Sequence, residues 1–243
     1  MTSRVTKSNC LVIIYNLEGV GLVKRLYDDA CGTAHALELI GERWALLVMR
    51  ELMLGPRRFS ELRADLPGIS ANVLTQRLEG LEARHLLVRR RLPPPASAQV
   101  YELTEWGYEA EPLVQMLGRW AARSPWHDPT LPISGVSVML SFRTMIDRAR
   151  VGDLVLRVGF AFGDMTYIGQ LDASGIAIAR GAAQGCDLVF TGTPHALAGA
   201  VYGGVPLDAL DAEGLLHAEG DPALIARFLT LFPLPERVQL PPE

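Results

Sequence analysis

The stretch between residues 40 and 104 constrains the fold most, because amphipathic helical segments and a basic two-stranded ribbon follow one another there. In the helix that Ser70 caps, Leu74, Leu78 and Leu81 fall on one face, while polar residues occupy the other. The ribbon consists of L-L-V-R-R-R-L and Q-V-Y-E-L-T. One helix fits the major groove of duplex DNA, and a basic hairpin can lie along the flanking phosphates. This order of elements predicts a winged helix-turn-helix.

The polar face of that helix and the nearby arginines are candidate DNA contacts. Asn and Gln can pair with adenine through two hydrogen bonds, and Arg can pair with guanine or a phosphate. Phosphate contacts position a protein and make its affinity salt-dependent without reading sequence. The predicted DNA-binding residues are Arg57, Arg58, Ser70, Asn72, Thr75, Gln76, Arg77, Arg89, Arg90 and Arg91. A solvated surface role is the alternative for each of them, and strand alternation predicts at least one structural arginine in the ribbon.

Turn and cap residues predict where the helices of this stretch begin and end. Gly55 and the following proline end one helix, and Ser60 can cap the short helix after it. Thr104 can cap a final helix that reaches about Ala122. A domain of this size has little use for two tryptophans on its last helix, so the sequence predicts a homodimer that buries them. The apolar residues of this helix are Trp106, Leu113, Leu117 and Trp120.

Three motifs between residues 29 and 122 resemble the HxlR-type winged helix-turn-helix regulators. They are C-G-T-A-H-A-L-E-L-I-G-E-R-W, L-L-V-M-R-E-L-M-L-G-P-R-R-F-S-E-L and P-G-I-S-A-N-V-L-T-Q-R-L-E-G-L-E. The resemblance implies a bacterial, dimeric transcription factor whose terminal helices form the dimer. This chain departs from the family pattern at Gly32, where proline is usual, and at Glu42-Arg43, where Gly-Lys is usual. Neither departure falls on the reading helix.

Cys31 aligns with a cysteine that some regulators of this type use to sense oxidants or electrophiles. A thiol at the start of a helix can have a lowered pKa and then reacts more readily as a thiolate. The nearby Asp28 and Asp29 would oppose a thiolate, and a lone cysteine is commonly a small buried apolar residue. A redox-sensing regulator based on Cys31 therefore stays open as an alternative to a structural role.

The composition changes at residues 124–132, where three prolines in S-P-W-H-D-P-T-L-P predict a stiff connection. Residues 56–91 contain eight arginines and four acidic residues, whereas residues 124–243 contain 7 basic and 13 acidic residues. A basic module joined to an acidic one suits a DNA-binding domain followed by a domain of another kind. The predicted divisions are an N-terminal arm or extension (1–20), a winged helix-turn-helix (21–123), a linker (124–132) and a second domain (133–243).

The second domain shows strand-like runs separated by Gly and Asp, then two helices that Thr193 and Asp221 can cap, each before a first-turn proline. Its segments D-L-V-F-T-G-T-P-H-A-L and L-H-A-E-G-D-P-A-L resemble the sterol carrier protein-2-like domains. This resemblance implies an α+β fold around an apolar tunnel for lipids or acyl groups. Residues that could line a ligand pocket, or fill an ordinary core, are Phe160, Phe162, Tyr167, Leu197, Val201, Tyr202, Phe228 and Phe232.

Enzyme motifs are absent from the sequence: it has no phosphate-binding glycine loop, no nucleophile elbow and no cluster with metal-ligand spacing. We therefore expect no catalysis, no metal and no cofactor. Three distant cysteines suit a reduced cytoplasm, and no apolar run approaches the roughly 20 residues of a membrane span. The expected partners are an operator in double-stranded DNA, a second copy of the chain and an apolar small-molecule effector. The alternative is a lipid or acyl carrier whose helix-turn-helix serves only for assembly.

Overall fold

The computed structural model describes residues 27–94 and 97–240. The predicted N-terminal arm (1–20) lies outside the described residues, and so do Pro95 and Ala96 of the predicted ribbon loop. Among the described residues, no helix combines the length and the apolar character that crossing a bilayer requires.

The first half of the chain is a winged helix-turn-helix, as the sequence predicts. Its elements are α1 (Gly32–Ile40), α2 (Ala45–Leu52), α3 (Phe59–Asp65), α4 (Ala71–Ala83), β1 (Leu87–Arg91), β2 (Gln99–Leu103), α5 (Glu105–Tyr108) and α6 (Glu111–Ala121). The turn between α3 and α4 depends on Gly68, whose φ of +88° lies in the left-handed region that favours glycine. Strands β1 and β2 pair antiparallel and form the wing. The leucines of α4 are buried against α2, which fixes which face of α4 points outward.

Two predicted element boundaries in this half are wrong. Helix α3 begins before Ser60: the carboxylate of Glu61 accepts a hydrogen bond from the backbone N–H of Arg58 at 2.9 Å and closes the helix start there. The terminal helix is split in two, although Thr104 does cap its first part. A continuous helix would place the ring of Pro112 against the carbonyl of Tyr108 and lose one hydrogen bond, so the helix ends and restarts.

The C-terminal region is a mixed five-stranded sheet packed with helices. Its elements are α7 (Gly135–Met145), α8 (Arg148–Val151), β3 (Leu156–Phe162), β4 (Met165–Asp172), β5 (Gly175–Arg180), β6 (Leu188–Gly192), α9 (Pro194–Tyr202), α10 (Leu207–Ala212), β7 (Leu216–Gly220) and α11 (Pro222–Leu229). The strand order is β5-β4-β3-β6-β7, with β3 and β6 parallel and the other pairs antiparallel. Thr193 and Asp221 cap α9 and α11, as predicted.

Helix α7, to which the sequence analysis assigned no structure, joins the two halves. It packs against α2 and α6 of the winged helix and against β5 and α9 of the C-terminal region. Its apolar residues belong to one buried cluster that also contains core residues of the winged helix, such as Met49 and Leu52. The division of the chain at residues 124–132 stays a prediction.

Candidate nucleic-acid interface

Helix α4 presents an outward polar face of the kind that reads DNA. Asn72, Thr75 and Gln76 are exposed, and their side chains form no hydrogen bond within the described part of the chain. Ser70 is exposed as well, and its hydroxyl oxygen accepts a hydrogen bond from the backbone N–H of Val73 at 3.3 Å. Four of the predicted contact residues therefore lie together at the start and on the outer face of one helix. Amide and hydroxyl groups with open hydrogen-bonding capacity can bind base edges or phosphates.

Arg77 lies on the flank of this face and bonds to the chain itself. Its Nε donates to the carbonyl oxygen of Arg43 at 2.8 Å, and its Nη2 lies 3.1 Å from a carboxylate oxygen of Glu42. These contacts tie α4 to the corner between α1 and α2. Two of its guanidinium nitrogens are thereby engaged, so Arg77 has less capacity left for DNA than a fully free arginine, whereas the side chains of Asn72 and Gln76 are unengaged.

The wing presents three exposed arginines beside α4. Arg89 pairs with Glu82 at 2.9 Å and lies over the ring of Tyr101, while Arg90 pairs with Glu102 on the neighbouring strand. A groove of about 520 Å³ is lined by Arg89, Arg90, Arg91, Ser97 and Gln99. Arg89 and Arg90 thus make structural pairs, as expected of at least one arginine in the ribbon, but none of the three turns inward, because β1 is buried only at Leu87.

Arg57 and Arg58, predicted together as phosphate contacts, have opposite environments. Arg58 is exposed, whereas Arg57 is only 2% exposed and pairs with Asp65 and with Glu61. Its guanidinium offers no surface to a phosphate. This corrects the expectation for Arg57, whose observed contacts hold α3 in place. Its burial depends on residues far away in the chain, which is why its neighbours in sequence did not reveal it.

One face of α6 is apolar and exposed. Leu113, Met116, Leu117 and Trp120 recur at helical spacing and are between 47% and 72% exposed. Another part of the same helix packs against α7. Aromatic and Met side chains clustered on an exposed surface are typical of protein–protein interfaces.

Cys31 is exposed at the N-cap position of α1. Hydrogen bonds from the backbone amides of Thr33 and Ala34 lower the pKa of its thiol below the usual range. The Asp29 carboxylate accepts a hydrogen bond from the backbone N–H of Cys31 at 2.9 Å. The opposition that we expected from the two aspartates is therefore outweighed by the helix start.

The residues predicted to line a ligand pocket do not surround one cavity. Phe160, Phe228 and Phe232 pack around the ring of Phe142, with which Phe232 stacks at a centroid distance of 4.3 Å. Phe162 and Tyr167 form a separate pair, and Leu197 is fully buried in the core. Val201 and Tyr202, together with Phe232, line a shallow groove of about 390 Å³. The full lining of this groove consists of Arg150, Ala200, Val201, Tyr202, Gly204, Leu229, Thr230, Phe232, Pro233 and Leu234.

A seam of buried polar side chains between the winged helix and the C-terminal region was not predicted. Glu51 of α2 is fully buried, and its carboxylate accepts hydrogen bonds from Arg50 and from the hydroxyl of Ser134. Burial raises the pKa of the Glu51 carboxyl above its usual range. Burial likewise raises the pKa of Tyr167 to about 12. The adjacent charged residues Arg50 and Glu51 within the otherwise apolar α2 are the sequence signal for this seam.

Groups of three or more His, Cys, Asp or Glu side chains that could hold a metal ion are absent among residues 27–94 and 97–240.

Comparison with known proteins matches the DNA-binding half. The family model described as HxlR-like helix-turn-helix matches residues 39–128. The HTH-type transcriptional regulator YvaP of Bacillus subtilis is 34% identical over 95 residues, which cover 39% of this chain and 86% of YvaP. The HTH-type transcriptional regulator YodB of the same organism is 37% identical over 86 residues, or 35% of this chain and 77% of YodB. The structure of reduced YodB aligns with 39% of this chain over 94% of the YodB chain, with 34% sequence identity and a TM-score of 0.36.

Proposed function

This chain belongs to the family of HxlR-like helix-turn-helix transcriptional regulators, and from that premise we propose that it binds a pseudo-palindromic DNA operator as a homodimer. The observation that carries the proposal is the outward face of α4, where Asn72, Thr75 and Gln76 have no partner within the described chain and lie beside a basic wing. A regulator of transcription works where the chromosome lies, so we place the protein in the bacterial cytoplasm.

Each part of the site has a separate task in this proposal. Asn72 and Gln76 read base edges in the major groove, and Ser70 and Thr75 contact bases or phosphates at the margin. Arg58 and the wing arginines bind the flanking backbone and supply the salt-dependent part of the affinity. Two copies of α4 reach successive major grooves when the half-sites lie about 34 Å apart, one helical turn of DNA.

Dimerisation through α6 is supported by the exposed apolar stripe of that helix. Leu113, Met116, Leu117 and Trp120 would be buried against the same residues of a second copy, as a two-fold interface requires. A helical pair of this kind fixes the distance between the two reading helices.

An apolar effector in the C-terminal region is the further part of the proposal. The region has a mixed sheet, and the resemblance to sterol carrier protein-2-like domains supports an apolar ligand. Because the aromatic residues fill the core, we propose the groove beside Val201, Tyr202 and Phe232 as the binding place. A ligand there regulates DNA binding only if its affinity differs between two arrangements of the dimer.

DNA binding is tested with the segment upstream of the coding region, against scrambled competitor, at two salt concentrations. We expect selective binding that weakens as salt rises, because phosphate contacts release counterions. Gln76→Ala should lower the affinity for a single half-site about 5- to 150-fold, the range that one lost bidentate base contact implies, and the loss on the full operator should be larger because the dimer loses the contact twice. Gln184→Ala, an exposed glutamine in the C-terminal region, is the matched control and should bind as the wild type does. A folded Gln76→Ala protein with unchanged affinity would show that α4 does not read this DNA.

The carrier alternative gives the opposite result in the same experiment. A protein whose helix-turn-helix serves only for assembly would show no preference for operator over scrambled DNA. It would still bind apolar ligands, and Gln76→Ala would change nothing.

The thiol-based alternative is supported by the position of Cys31. An exposed thiol with a lowered pKa holds more thiolate at neutral pH than an ordinary cysteine does. We expect alkylation of Cys31 to reach half its maximal rate at a lower pH than alkylation of a free cysteine, and oxidant to change operator affinity. Cys31→Ser should keep basal DNA binding and lose the oxidant response. An oxidant response that persists in Cys31→Ser would remove this alternative.

A further inference from the structure

The seam between the winged helix and the C-terminal region places charged groups where the two halves touch. We use "polar seam" for Glu51, Arg57, Ser134, Tyr167 and Arg180. Glu51, Arg57 and Tyr167 are each at most 2% exposed. Burying a charged group costs free energy unless it is paired, and the two buried charges Glu51 and Arg57 each have a charged partner, Arg50 for Glu51 and Asp65 for Arg57.

Arg57 connects its own loop to two other parts of the DNA-binding half, α3 and the wing. Its guanidinium pairs with Asp65 at the end of α3. Its backbone exchanges two hydrogen bonds with Tyr101 of β2, at 2.9 and 2.8 Å. The loop that carries Arg57 therefore sets how α3 and the wing lie relative to each other, and α4 follows α3 after a short turn.

Arg180 reaches this loop from the C-terminal sheet. It is the last residue of β5 and pairs in register with Tyr167 of β4. Its Nη1 donates to the carbonyl oxygen of Pro56 at 3.1 Å, immediately before Arg57. Its Nε and Nη2 are buried and have no hydrogen-bond partner within the described chain. Its side chain has no carboxylate partner within the described chain either, so its observed side-chain hydrogen bond is the one with the loop.

A second connection runs along α7. The hydroxyl of Ser134, which caps α7, donates to the Glu51 carboxylate of α2 at 2.8 Å. Ser141 on the same helix lies 2.7 Å from the hydroxyl of Tyr202, one of the groove residues. The groove, α7, the sheet edge and the loop before α3 thus form a contiguous set of contacts.

We propose that Arg180 is a positioning residue for DNA binding, through which the C-terminal region sets the geometry of α3, α4 and the wing. Arg180 does not touch DNA in this proposal. Its hydrogen bond to the Pro56 carbonyl fixes the position of the loop. The loop in turn fixes the position of α3 through the Arg57–Asp65 pair and that of the wing through the backbone hydrogen bonds to Tyr101. The inference rests on the proposed DNA-binding function.

The test compares Arg180→Met with the wild type in the full-length chain. Methionine replaces the aliphatic part of the arginine side chain with an unbranched apolar chain and removes the guanidinium together with its hydrogen bond. We expect operator affinity to fall about 2- to 30-fold, the range for residues that act on a binding site from a distance, while affinity for scrambled DNA stays the same. Amide hydrogen exchange should become faster in the loop around Arg57 and in the wing. Arg180→Lys, which keeps a donor, should recover part of the operator affinity.

Arg157→Met is the matched control, because Arg157 is an exposed arginine on β3 of the same sheet. It should change neither the operator affinity nor the exchange rates. A folded Arg180→Met protein with wild-type operator affinity and exchange overturns this proposal alone. If the wild type itself shows no operator preference, the proposed function fails and this inference fails with it, so the two failures are distinguishable.

Discussion

Replacing Trp120 by aspartate should convert the proposed dimer into a monomer and lower affinity for an operator with two half-sites about 30- to 1000-fold. Trp120 is 72% exposed in the single chain and shares its face of α6 with Leu113, Met116 and Leu117. Tryptophans at the centre of an interface commonly carry about 2–4 kcal/mol of the binding free energy. Aspartate removes that contact area, and at a two-fold interface it also brings two carboxylates close together. A monomer contacts one half-site, so most of the operator affinity is lost with the dimer.

Sedimentation or light scattering at several concentrations measures the change in mass, and titration with operator DNA measures the affinity. Val155→Asp is the control, because Val155 is 74% exposed but lies in the C-terminal region, away from α6. It should remain a dimer with wild-type affinity. A Trp120→Asp protein that stays dimeric would place the dimer interface elsewhere on the chain.

The elements that could be predicted from the sequence depend on local rules. The leucine stripe of α4 and the Ser70 cap follow from helical period and from the hydrogen-bonding capacity of a serine hydroxyl. The caps at Thr193 and Asp221 follow from the same reasoning. In each case the residues that determine the structure lie within one or two helical turns. The exposed polar face of α4 was predictable for that reason.

The prediction for Arg57 was wrong because its environment depends on distant parts of the chain. Arg57 follows a turn and precedes another arginine, which is the pattern of an exposed basic loop. The wing, α3 and β5 close over this loop, through contacts with Tyr101, Asp65 and Arg180. Asp65 follows Arg57 by eight residues, close to helical spacing, but no spacing rule in the sequence brings Tyr101 and Arg180 to this loop. The break in the terminal helix before α6, by contrast, could have been predicted from Pro112 alone.

The predicted ligand pocket in the C-terminal region also depends on a residue that is distant in the sequence from the predicted lining. Aromatic residues on β3 and α11 face the same interior, which is consistent with a tunnel as much as with a core. What decides between the two is Phe142 of α7, whose ring occupies the space between them. No helix was predicted for residues 135–145, so no prediction placed the ring of Phe142 in that space.

Phe142→Ala should destabilise the C-terminal region by about 3–5 kcal/mol and open an apolar cavity. Phe142 is fully buried, and its ring centroid lies between 4.3 and 6.3 Å from those of four other aromatic rings. Truncation removes the dispersion contacts of the ring and leaves neighbours that can only partly relax. For a chain of this size the unfolding midpoint should fall about 6–20 °C, measured by calorimetry or by circular dichroism.

A small apolar molecule such as benzene should recover part of that stability in Phe142→Ala, because it binds the cavity of the folded state and not the unfolded chain. The same molecule should leave the wild-type midpoint unchanged if Phe142 fills the interior. Trp126→Ala, which removes an aromatic ring that is 77% exposed, is the control and should shift stability by less than about 0.5 kcal/mol. A wild type that benzene stabilises as strongly as the variant, together with a small loss in Phe142→Ala, would mean that the aromatic residues line an open tunnel. The proposed binding place of an apolar effector would then lie between the sheet and α7 rather than in the outer groove, with Val201 and Tyr202 at the tunnel mouth.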